Sequence, residues 1–263
     1  AMRSGENAGT VLAFFASKPP ETGNGFARLA DALSAVGRHA EALVAVRSAW
    51  ASADLSASDE QNIFARYGRY LTWEDHDRRT DALLFAKSAS DADRFLPMTS
   101  ATRRGAFTAR VALQRRWPDA GARYQAVMAQ VTPDAGLMMD RARYLRDANW
   151  EHSARQLFSR DHNFTHRPAD AERFLDMQIL LADSAAENGQ WALAYNIARQ
   201  TDDVLAPGVN VSDQHIGIRD KYTSLMWLGG TAAWSGLNRP NDAVAMFDRY
   251  SRGGKSLQVQ SKG

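Results

Sequence analysis

The sequence predicts an all-α protein built of antiparallel helix pairs. Apolar residues recur at steps of three and four along most of the 263 residues, which is the period of an amphipathic helix. In the segment GFARLADALSAVG, for example, Phe26, Leu29 and Leu33 share one helical face. No stretch alternates polar and apolar residues between hairpin turns, as β-strands would. We therefore expect roughly twelve helices joined by short connections.

Capping residues and glycines mark where individual helices begin and end. In chain order, residues suited to helix N-termini occur at SDEQ (58–61), TWED (72–75), PAD (168–170) and SDQ (212–214). There they meet free backbone N–H groups and the helix dipole. Gly37, Gly189 and Gly236 are expected to end helices, because glycine adopts the left-handed conformation at a C-terminus without strain.

The segment DAGLMMD (134–140) is predicted to be one more helix start. Gly-Leu-Met also occurs in enzymes that cleave bacterial cell-wall glycan, where a Glu-Ser pair lies ahead of it. No glutamate of this chain is followed by serine, although such cleavage needs a carboxylic acid to protonate the leaving oxygen. Leu137, Arg141 and Tyr144 instead fall on one helical face. We therefore predict no catalytic residue in this chain.

Three helix-turn-helix segments resemble one another. They begin at Leu29-Ala30, Leu181-Ala182 and Leu228-Gly229, and in each a glycine follows the leucine eight positions later. Small residues at these positions let two helices pack closely. The arrangement is similar to that of tetratricopeptide repeats. We therefore predict an irregular, tetratricopeptide-like α-solenoid that forms a single superhelical domain over residues 1–263.

The composition suits a folded protein and limits its chemistry. Hydrophobic residues make up 44% of the chain and charged residues 24%, which is typical of globular domains. The absence of cysteine excludes thiol nucleophiles, thiolate zinc sites and disulfides. The early apolar run, Val11–Ala16, is too short for a membrane span or a signal peptide. Without a P-loop, nucleophile elbow or dinucleotide-binding motif, we expect no cofactor.

Arginine is concentrated in the middle of the chain. Residues 94–173 contain fourteen arginines and eight acidic residues, an excess of +6 by subtraction, against +2 for the whole chain. Arginine bridges helices as well as it binds anions, and the sequence leaves both uses open. Arg103 and Arg110 lie on one helical face and Arg104 and Arg115 on an adjacent line, so these four are the predicted anion contacts. No reading helix or interleaved aromatic residues accompany them, and we expect no nucleic acid partner.

Other chemically dense groups are given structural interpretations. His162 and His166 precede Pro168 and are expected in a loop as surface or capping residues, so no metal site is predicted. The run EDHDRR (74–79) is interpreted as a solvated first helical turn. Four tryptophans within apolar stripes are expected in the core: Trp50, Trp191, Trp227 and Trp234.

Three segments carry a resemblance to a known family. LTWEDHDRRTDALLF (71–85) resembles the DHDxRxDxLLW stretch of soluble lytic murein transglycosylases. GLMMDRARYL (136–145) is similar to a GLLLDRARWL segment of the same family, and residues 226–250 resemble a helix pair near the end of its helical region. The segments occur in the same order as in the family.

The resemblance implies a function that the residues alone do not. In that family an N-terminal superhelix, the U domain, forms a ring with a linker and carries a lysozyme-like catalytic domain. The enzyme is a periplasmic lyase that cleaves the MurNAc–GlcNAc β-1,4 bond of peptidoglycan and leaves 1,6-anhydro ends. This chain would be the non-catalytic scaffold, with glycan strands and a missing C-terminal catalytic domain as its partners. The four predicted anion contacts would then lie near acidic groups of the murein.

A different class of function fits the same repeats. A stand-alone tetratricopeptide-like adaptor would bind a peptide or protein in its concave groove. The encoding gene discriminates between the two. A reading frame that continues into Glu-Ser and Gly-Leu-Met-Gln segments would favour the scaffold, and a stop codon near Gly263 would favour the adaptor.

Overall fold

The computed structural model describes residues 7–254, and over this range the all-α prediction is confirmed. The described residues form fourteen α-helices and no β-strand, and they include one isolated bridge between Asp134 and His166. The chain divides into two compact units, the first ending at Val111 and the second beginning at Ala112. That one superhelical domain spans residues 1–263 stays a prediction.

The first unit contains six helices and most of a seventh. They are α1 (Ala8–Ser17), α2 (Gly23–Ala35), α3 (His39–Trp50), α4 (Ala57–Tyr67), α5 (Trp73–Phe85), α6 (Ala89–Asp93) and α7 (Ala101–Arg115). The unit boundary falls within the last part of α7. Short 3-10 turns occupy Gly68–Tyr70 and Leu96–Met98.

The second unit contains the remaining seven helices. They are α8 (Ala120–Ala126), α9 (Ala135–Asp147), α10 (Glu151–Phe158), α11 (Ala171–Glu187), α12 (Trp191–Ala198), α13 (Ile216–Thr231) and α14 (Pro240–Gly253). A π-helical turn, Ala232–Gly236, continues α13. The 3-10 turns of this unit are Met128–Gln130, Thr201–Val204 and Val211–Asp213.

The three similar segments form helix pairs, as predicted. In the first unit α2 packs on α3, and in the second unit α11 packs on α12 and α13 on α14. The small residues have the expected use. A Cβ built on Gly230 of α13 would lie 2.5 Å from the Phe247 ring of α14, and one on Gly229 would lie 2.4 Å from Met246. A side chain at Gly230 would therefore force the two helices apart, whereas at Gly229 the flexible end of Met246 could move aside.

All three predicted glycine stops lie at helix ends, and two of them have the expected conformation. Gly37 and Gly189 follow α2 and α11 with φ angles of 79° and 67°, the left-handed region that glycine tolerates. Gly236 is the last residue of the π-helical turn that continues α13, but it is not left-handed. Asn238, with φ 52°, takes the left-handed position instead, a conformation that asparagine adopts more readily than most residues.

Two predicted helix starts are confirmed, and in both a capping aspartate bonds to a backbone N–H in the first turn of its own helix. Asp134 accepts a hydrogen bond of 2.9 Å from a backbone N–H of α9, so DAGLMMD is a helix start as predicted. Asp170 does the same for α11 at 3.0 Å. Two starts are displaced. Ser56 rather than Ser58 caps α4, and the segment 212–214 contributes to a 3-10 turn ahead of α13.

Aromatic residues fill the core of the first unit. Trp50 is completely buried, stacks on Phe64 at a centroid distance of 5.9 Å and meets Phe95 edge-on at 5.4 Å. The prediction of a core tryptophan is correct here. Burial of a side chain of this size makes its truncation cost about 3–5 kcal/mol.

The core of the second unit is centred on three phenylalanines. The rings of Phe158 and Phe174 stack at 5.2 Å, and Phe164 meets Phe174 edge-on at 5.3 Å. Phe164 lies in the connection between α10 and α11. Its burial fixes this irregular segment to the helices on either side.

Candidate functional site

Most of the charged run of α5 is buried, and the prediction of a solvated turn holds only for Glu74 and Arg78, which are exposed. Asp75, His76, Asp77, Arg79 and Asp81 each expose at most 7% of their surface. Helix α5 packs against α3 and α6, so the first turns of the helix are enclosed by other elements. Charge density alone could not reveal this, because the same residues on an outer helix would be exposed.

Each buried charge of this run bonds to a different element. Asp75 pairs with Arg47 of α3 at 3.2 Å, and Arg79 pairs with Glu60 of α4. Asp77 accepts hydrogen bonds from the backbone N–H and the hydroxyl of Ser100, ahead of α7, at 2.9 and 2.6 Å. Asp81 pairs with Arg103 (3.3 Å) and Arg110 of α7. Burial would raise the pKa of Asp75, but the Thr72 N–H and the guanidinium groups of Arg78 and Arg47 hold it below its usual value. The run therefore joins the elements of the first unit, and its role there is structural.

Two of the four predicted anion contacts belong to this internal network. Arg110 is completely buried, pairs with Asp81 and lies over the Phe85 ring at 5.1 Å. The prediction that Arg110 contacts a ligand is contradicted by its burial. Arg103 is largely buried beside the same aspartate and lies over the Phe107 ring at 4.4 Å. Both arginines thus take the alternative role left open by the sequence, that of bridging helices.

The other two predicted contacts are exposed. Arg104 donates hydrogen bonds to the backbone carbonyls of Leu96 and Pro97, at 3.0 and 3.2 Å. Arg115 belongs to the second unit and lies over the Trp117 ring at 5.3 Å. A ligand contact at Arg104 or Arg115 stays a prediction.

A cleft of about 610 Å³, here called the aromatic cleft, opens between the last four helices of the second unit. Its aromatic walls are Trp191 at the start of α12, Trp227 of α13 and Tyr250 of α14. The remaining lining residues are Ile179, Asp183 and Ala186 of α11 and Thr223, Ser224, Leu225, Leu228 and Thr231 of α13. This volume lies within the range of small-molecule sites.

Trp227 is the most accessible ring of the aromatic cleft. It exposes 44% of its surface, and Trp234, outside the cleft, exposes 61%. The prediction that these two tryptophans lie in the core is therefore wrong. The rings of Phe247 and Tyr250 pack against Trp227 at an interplanar angle of 54° and centroid distances of 5.3 and 5.4 Å. A partly exposed indole held by neighbouring rings is suited to stacking against a flat ligand surface.

The position of Trp191 depends on a glycine. A Cβ on Gly236 would lie 2.2 Å from the Trp191 ring, so the π-helical turn and the ring pack in direct contact. The π-helical turn places Gly236 in this position. Such turns often occur where a helix serves a site.

The polar groups of the aromatic cleft are hydroxyls and one carboxylate. Thr223, Ser224 and Thr231 offer hydroxyls, and Asp183 offers the carboxylate. Partial desolvation and the neighbouring Glu187 raise the pKa of Asp183 above its usual value. Rings beside hydroxyl and carboxylate acceptors suit ligands that combine a flat apolar face with hydroxyl groups.

A second cleft of about 600 Å³ in this unit, here called the charged cleft, has a different lining. One wall is the apolar loop from Leu205 to Val211. The other lining residues are His162, Arg167, Asp202, Asp203, Tyr222, Arg249 and Arg252. The sequence prediction singled out His162 only as part of a possible surface pair.

His162 is held inside this cleft by Asp203. The imidazole is completely buried, its Nδ1 lies 2.8 Å from Asp203 Oδ2, and it stacks on Phe164 at 4.1 Å. The prediction of a surface histidine is wrong for this residue. Burial lowers the pKa of His162 below its usual value, although the carboxylate of Asp203 opposes the shift. The neutral imidazole is therefore the favoured form near pH 7.

Tyr222 and Arg249 close the other side of the charged cleft. The Tyr222 hydroxyl donates a hydrogen bond of 2.6 Å to Asp202, and burial raises the pKa of this phenol to about 12. Arg249 pairs with Asp202 at 2.9 Å and donates to the Arg199 carbonyl at 2.9 Å. These groups are thus engaged with one another.

Comparisons of the chain with family models, with curated proteins and with solved structures find no match. Within residues 7–254 no group of three or more histidine, aspartate or glutamate side chains is arranged to hold a metal ion. Over the same range no helix is both long enough and apolar enough to cross a membrane.

The sequence prediction missed both clefts. Their residues come from four or more separate segments, and no short motif contains them. One signal was available for the aromatic cleft. In the third repeated segment, Trp227 precedes Leu228-Gly229 and Trp234 precedes Gly236. Two large aromatic side chains therefore occur on one helix, next to the small residues that mark its packed face.

Proposed function

We propose that this chain is a non-catalytic helical scaffold that binds peptidoglycan glycan strands and presents them to a catalytic domain. The proposal adopts the resemblance to the soluble lytic murein transglycosylases, which cleave the MurNAc–GlcNAc β-1,4 bond to 1,6-anhydro products. A periplasmic location is part of the same proposal. The catalytic step itself would belong to a domain outside this chain.

The aromatic cleft is the observation that best supports the proposal. Sugar rings carry apolar faces that stack on indole and phenol rings, while their hydroxyls exchange hydrogen bonds with side chains such as those of Asp183 and Thr231. Trp227, which is 44% exposed and packs against Phe247, is the expected principal contact. Truncation of a central aromatic contact typically costs about 2 kcal/mol or more of binding free energy.

The test is retention on purified sacculi, measured by co-sedimentation. We expect the wild-type chain to be retained, Trp227→Ala to lose most of its retention, and soluble oligomers of N-acetylglucosamine to compete. Trp150→Ala is the matched control, because Trp150 exposes 56% of its surface in the same unit but lies outside both clefts. Retention that is equal for Trp227→Ala and wild type would contradict the proposed glycan site. Failure of the wild-type chain to bind sacculi at all would favour the tetratricopeptide-like adaptor.

A further inference from the structure

Two residues beside Asp203 in the charged cleft have polar atoms without a hydrogen-bond partner, and Arg249 Nη2 is a third such atom in the same cleft. One of the two is His162, through its buried Nε2 atom. Arg167 exposes 30% of its side chain, and only its Nε is hydrogen-bonded, to the Leu205 carbonyl at 2.9 Å. Its Nη2 lies 3.8 Å from Asp203 Oδ1, which is beyond hydrogen-bond distance. The terminal nitrogens of this guanidinium are therefore available to a ligand.

Asp203 brings these two groups together. Its Oδ2 accepts hydrogen bonds from His162 Nδ1 (2.8 Å) and from the Phe164 N–H (2.6 Å), while its Oδ1 faces Arg167. A carboxylate is an acceptor, so the proton of the neutral imidazole lies on Nδ1 and Nε2 is itself an acceptor. The imidazole has no exposed surface, so Arg167 is the group of this arrangement that faces the cleft.

The other cations of the cleft have carboxylates closer than the 3.8 Å that separates Arg167 from Asp203. Arg249 forms an ion pair with Asp202 at 2.9 Å and donates to the Arg199 carbonyl, although its Nη2 makes no hydrogen bond, and Arg252 pairs with Asp248 one turn earlier on α14. Arg167 is consequently the cation best placed to receive an anion. Its geometry favours a planar anion with two oxygens, because guanidinium and carboxylate groups form two parallel hydrogen bonds.

The chemistry of these groups describes a peptide C-terminus. The last residue of a peptide carries a planar carboxylate with two oxygens and, on the neighbouring carbon, a side chain. The apolar loop with Leu205, Pro207 and Val209 offers a surface for its side chain. A cleft of about 600 Å³ is large enough for the last few residues of a peptide with small side chains.

We propose that the charged cleft binds the free carboxyl end of a short peptide, with the terminal nitrogens of Arg167 on the carboxylate and the apolar loop against the last side chain. The proposal goes beyond the proposed glycan-binding function and does not depend on it. The same chemistry is presented by a stem peptide of the cell wall and by the end of a protein chain. The glycan site and the peptide site are lined by different residues.

The primary test uses the wild-type chain and needs no substitution. Binding of acetyl-Ala-Ala-Ala with a free carboxylate is compared with binding of the same peptide as its C-terminal amide, by isothermal titration calorimetry at low ionic strength. Because a hydrogen-bonded ion pair is worth about 1.5–3 kcal/mol, the free acid should bind at least about tenfold more tightly. A second pair of probes ends in D-Ala-D-Ala. Preference for that pair would indicate a cell-wall peptide, and preference for the L-peptides would indicate a protein end.

Two substitutions locate the site. Arg167→Gln should weaken binding of the free acid about tenfold or more and leave binding of the amide unchanged. Arg160→Gln is the matched control, because Arg160 is exposed in the same connecting segment and does not line the cleft. Arg167→Lys keeps the charge but not the fork and should recover only part of the affinity. Thermal melting of each variant shows whether the fold is retained.

Three results would overturn the proposal. They are equal binding of acid and amide by the wild-type chain, undiminished binding of the acid by a folded Arg167→Gln variant, and no binding of any of the four peptides at millimolar concentration. Loss of sacculus retention in Trp227→Ala with unchanged peptide binding would separate the two sites. Loss of peptide binding alone would leave the glycan proposal intact.

Discussion

Arg110 of α7 and Asp81 of α5 form an ion pair in which the arginine side chain has no exposed surface. The two residues are 29 positions apart in the chain. Asp81 is shared with Arg103, which approaches its other oxygen at 3.3 Å. One carboxylate therefore balances two largely buried guanidinium groups.

This shared carboxylate predicts a large loss of stability for Asp81→Asn. The substitution keeps the shape of the side chain but removes the carboxylate charge that both Arg110 and Arg103 face. Removal of one partner from a buried pair costs about 3–5 kcal/mol, because a charge remains uncompensated in the interior. The measurement is urea unfolding of the wild-type and variant chains. We expect a clear fall in the unfolding midpoint at an unchanged slope.

Arg66→Ala is the control for this prediction. Arg66 pairs with Asp31 in the same unit, but both side chains are about half exposed. Exposed pairs contribute about 0.2–1 kcal/mol, so its midpoint should stay close to that of the wild type. Similar losses in the two variants would show that burial does not set the energy of these pairs.

Gly236→Ala should perturb the aromatic cleft through Trp191. The added methyl group would overlap the indole, since its Cβ would stand 2.2 Å from the ring. Overpacking of this kind costs about 1–3 kcal/mol, and the displaced ring should also weaken retention on sacculi. Gly121→Ala in α8 is the opposite case, because a Cβ there meets nothing within 4 Å. It should be neutral or stabilise the chain by about 0.4–1 kcal/mol. Equal changes in melting temperature for Gly236→Ala and Gly121→Ala would refute the packing argument.

Because His162 is buried, the stability of the folded chain should depend on pH on the acid side of neutrality. Its pKa is lowered by burial, against the opposing charges of Asp203 and Asp161, so between the folded and unfolded pKa values the unfolded chain binds more protons. The contribution of His162 to the free energy of unfolding is therefore complete above its pKa in the unfolded chain, about 6.5, and decreases as the pH falls below that value.

The check is a series of urea unfolding curves between pH 7.5 and pH 5. His162→Gln, which can still donate to Asp203, should show a shallower decline with falling pH than the wild-type chain. Replacement of His39, an exposed histidine in α3, serves as the control for removing an imidazole. His76 is also buried with a lowered pKa, so part of the decline should persist in the His162 variant. Parallel pH profiles for wild type and His162→Gln would contradict the assignment.

Local signals account for the parts of the fold that were predicted correctly. Asp134 and Asp170 begin helices because their carboxylates bond to backbone N–H groups only three residues ahead. Gly37 and Gly189 end helices because the left-handed conformation is a property of the residue itself. Such interactions act within one helical turn, so the amino-acid order contains all the information they need.

The sites required information that the amino-acid order does not display. His162 and Asp203 are 41 positions apart and Arg167 and Leu205 are 38 apart, so the charged cleft exists only after the second unit has folded. Trp227 lies in an apolar stripe like Trp50, yet one ring is open to solvent and the other is fully buried. The difference is made by the helices that cover each face.

The sequence by itself determined that this protein is all-helical, that three segments fold into helix pairs, and where several helices begin and end. Only the tertiary structure decided that most charged residues of α5 are buried, that Arg110 is enclosed in an ion pair with Asp81, and that two clefts open in the second unit. The physical reason is the distance along the chain over which each kind of interaction acts. Periodicity and capping depend on neighbours within four residues, whereas burial and ion pairing depend on which distant helix packs against a given face.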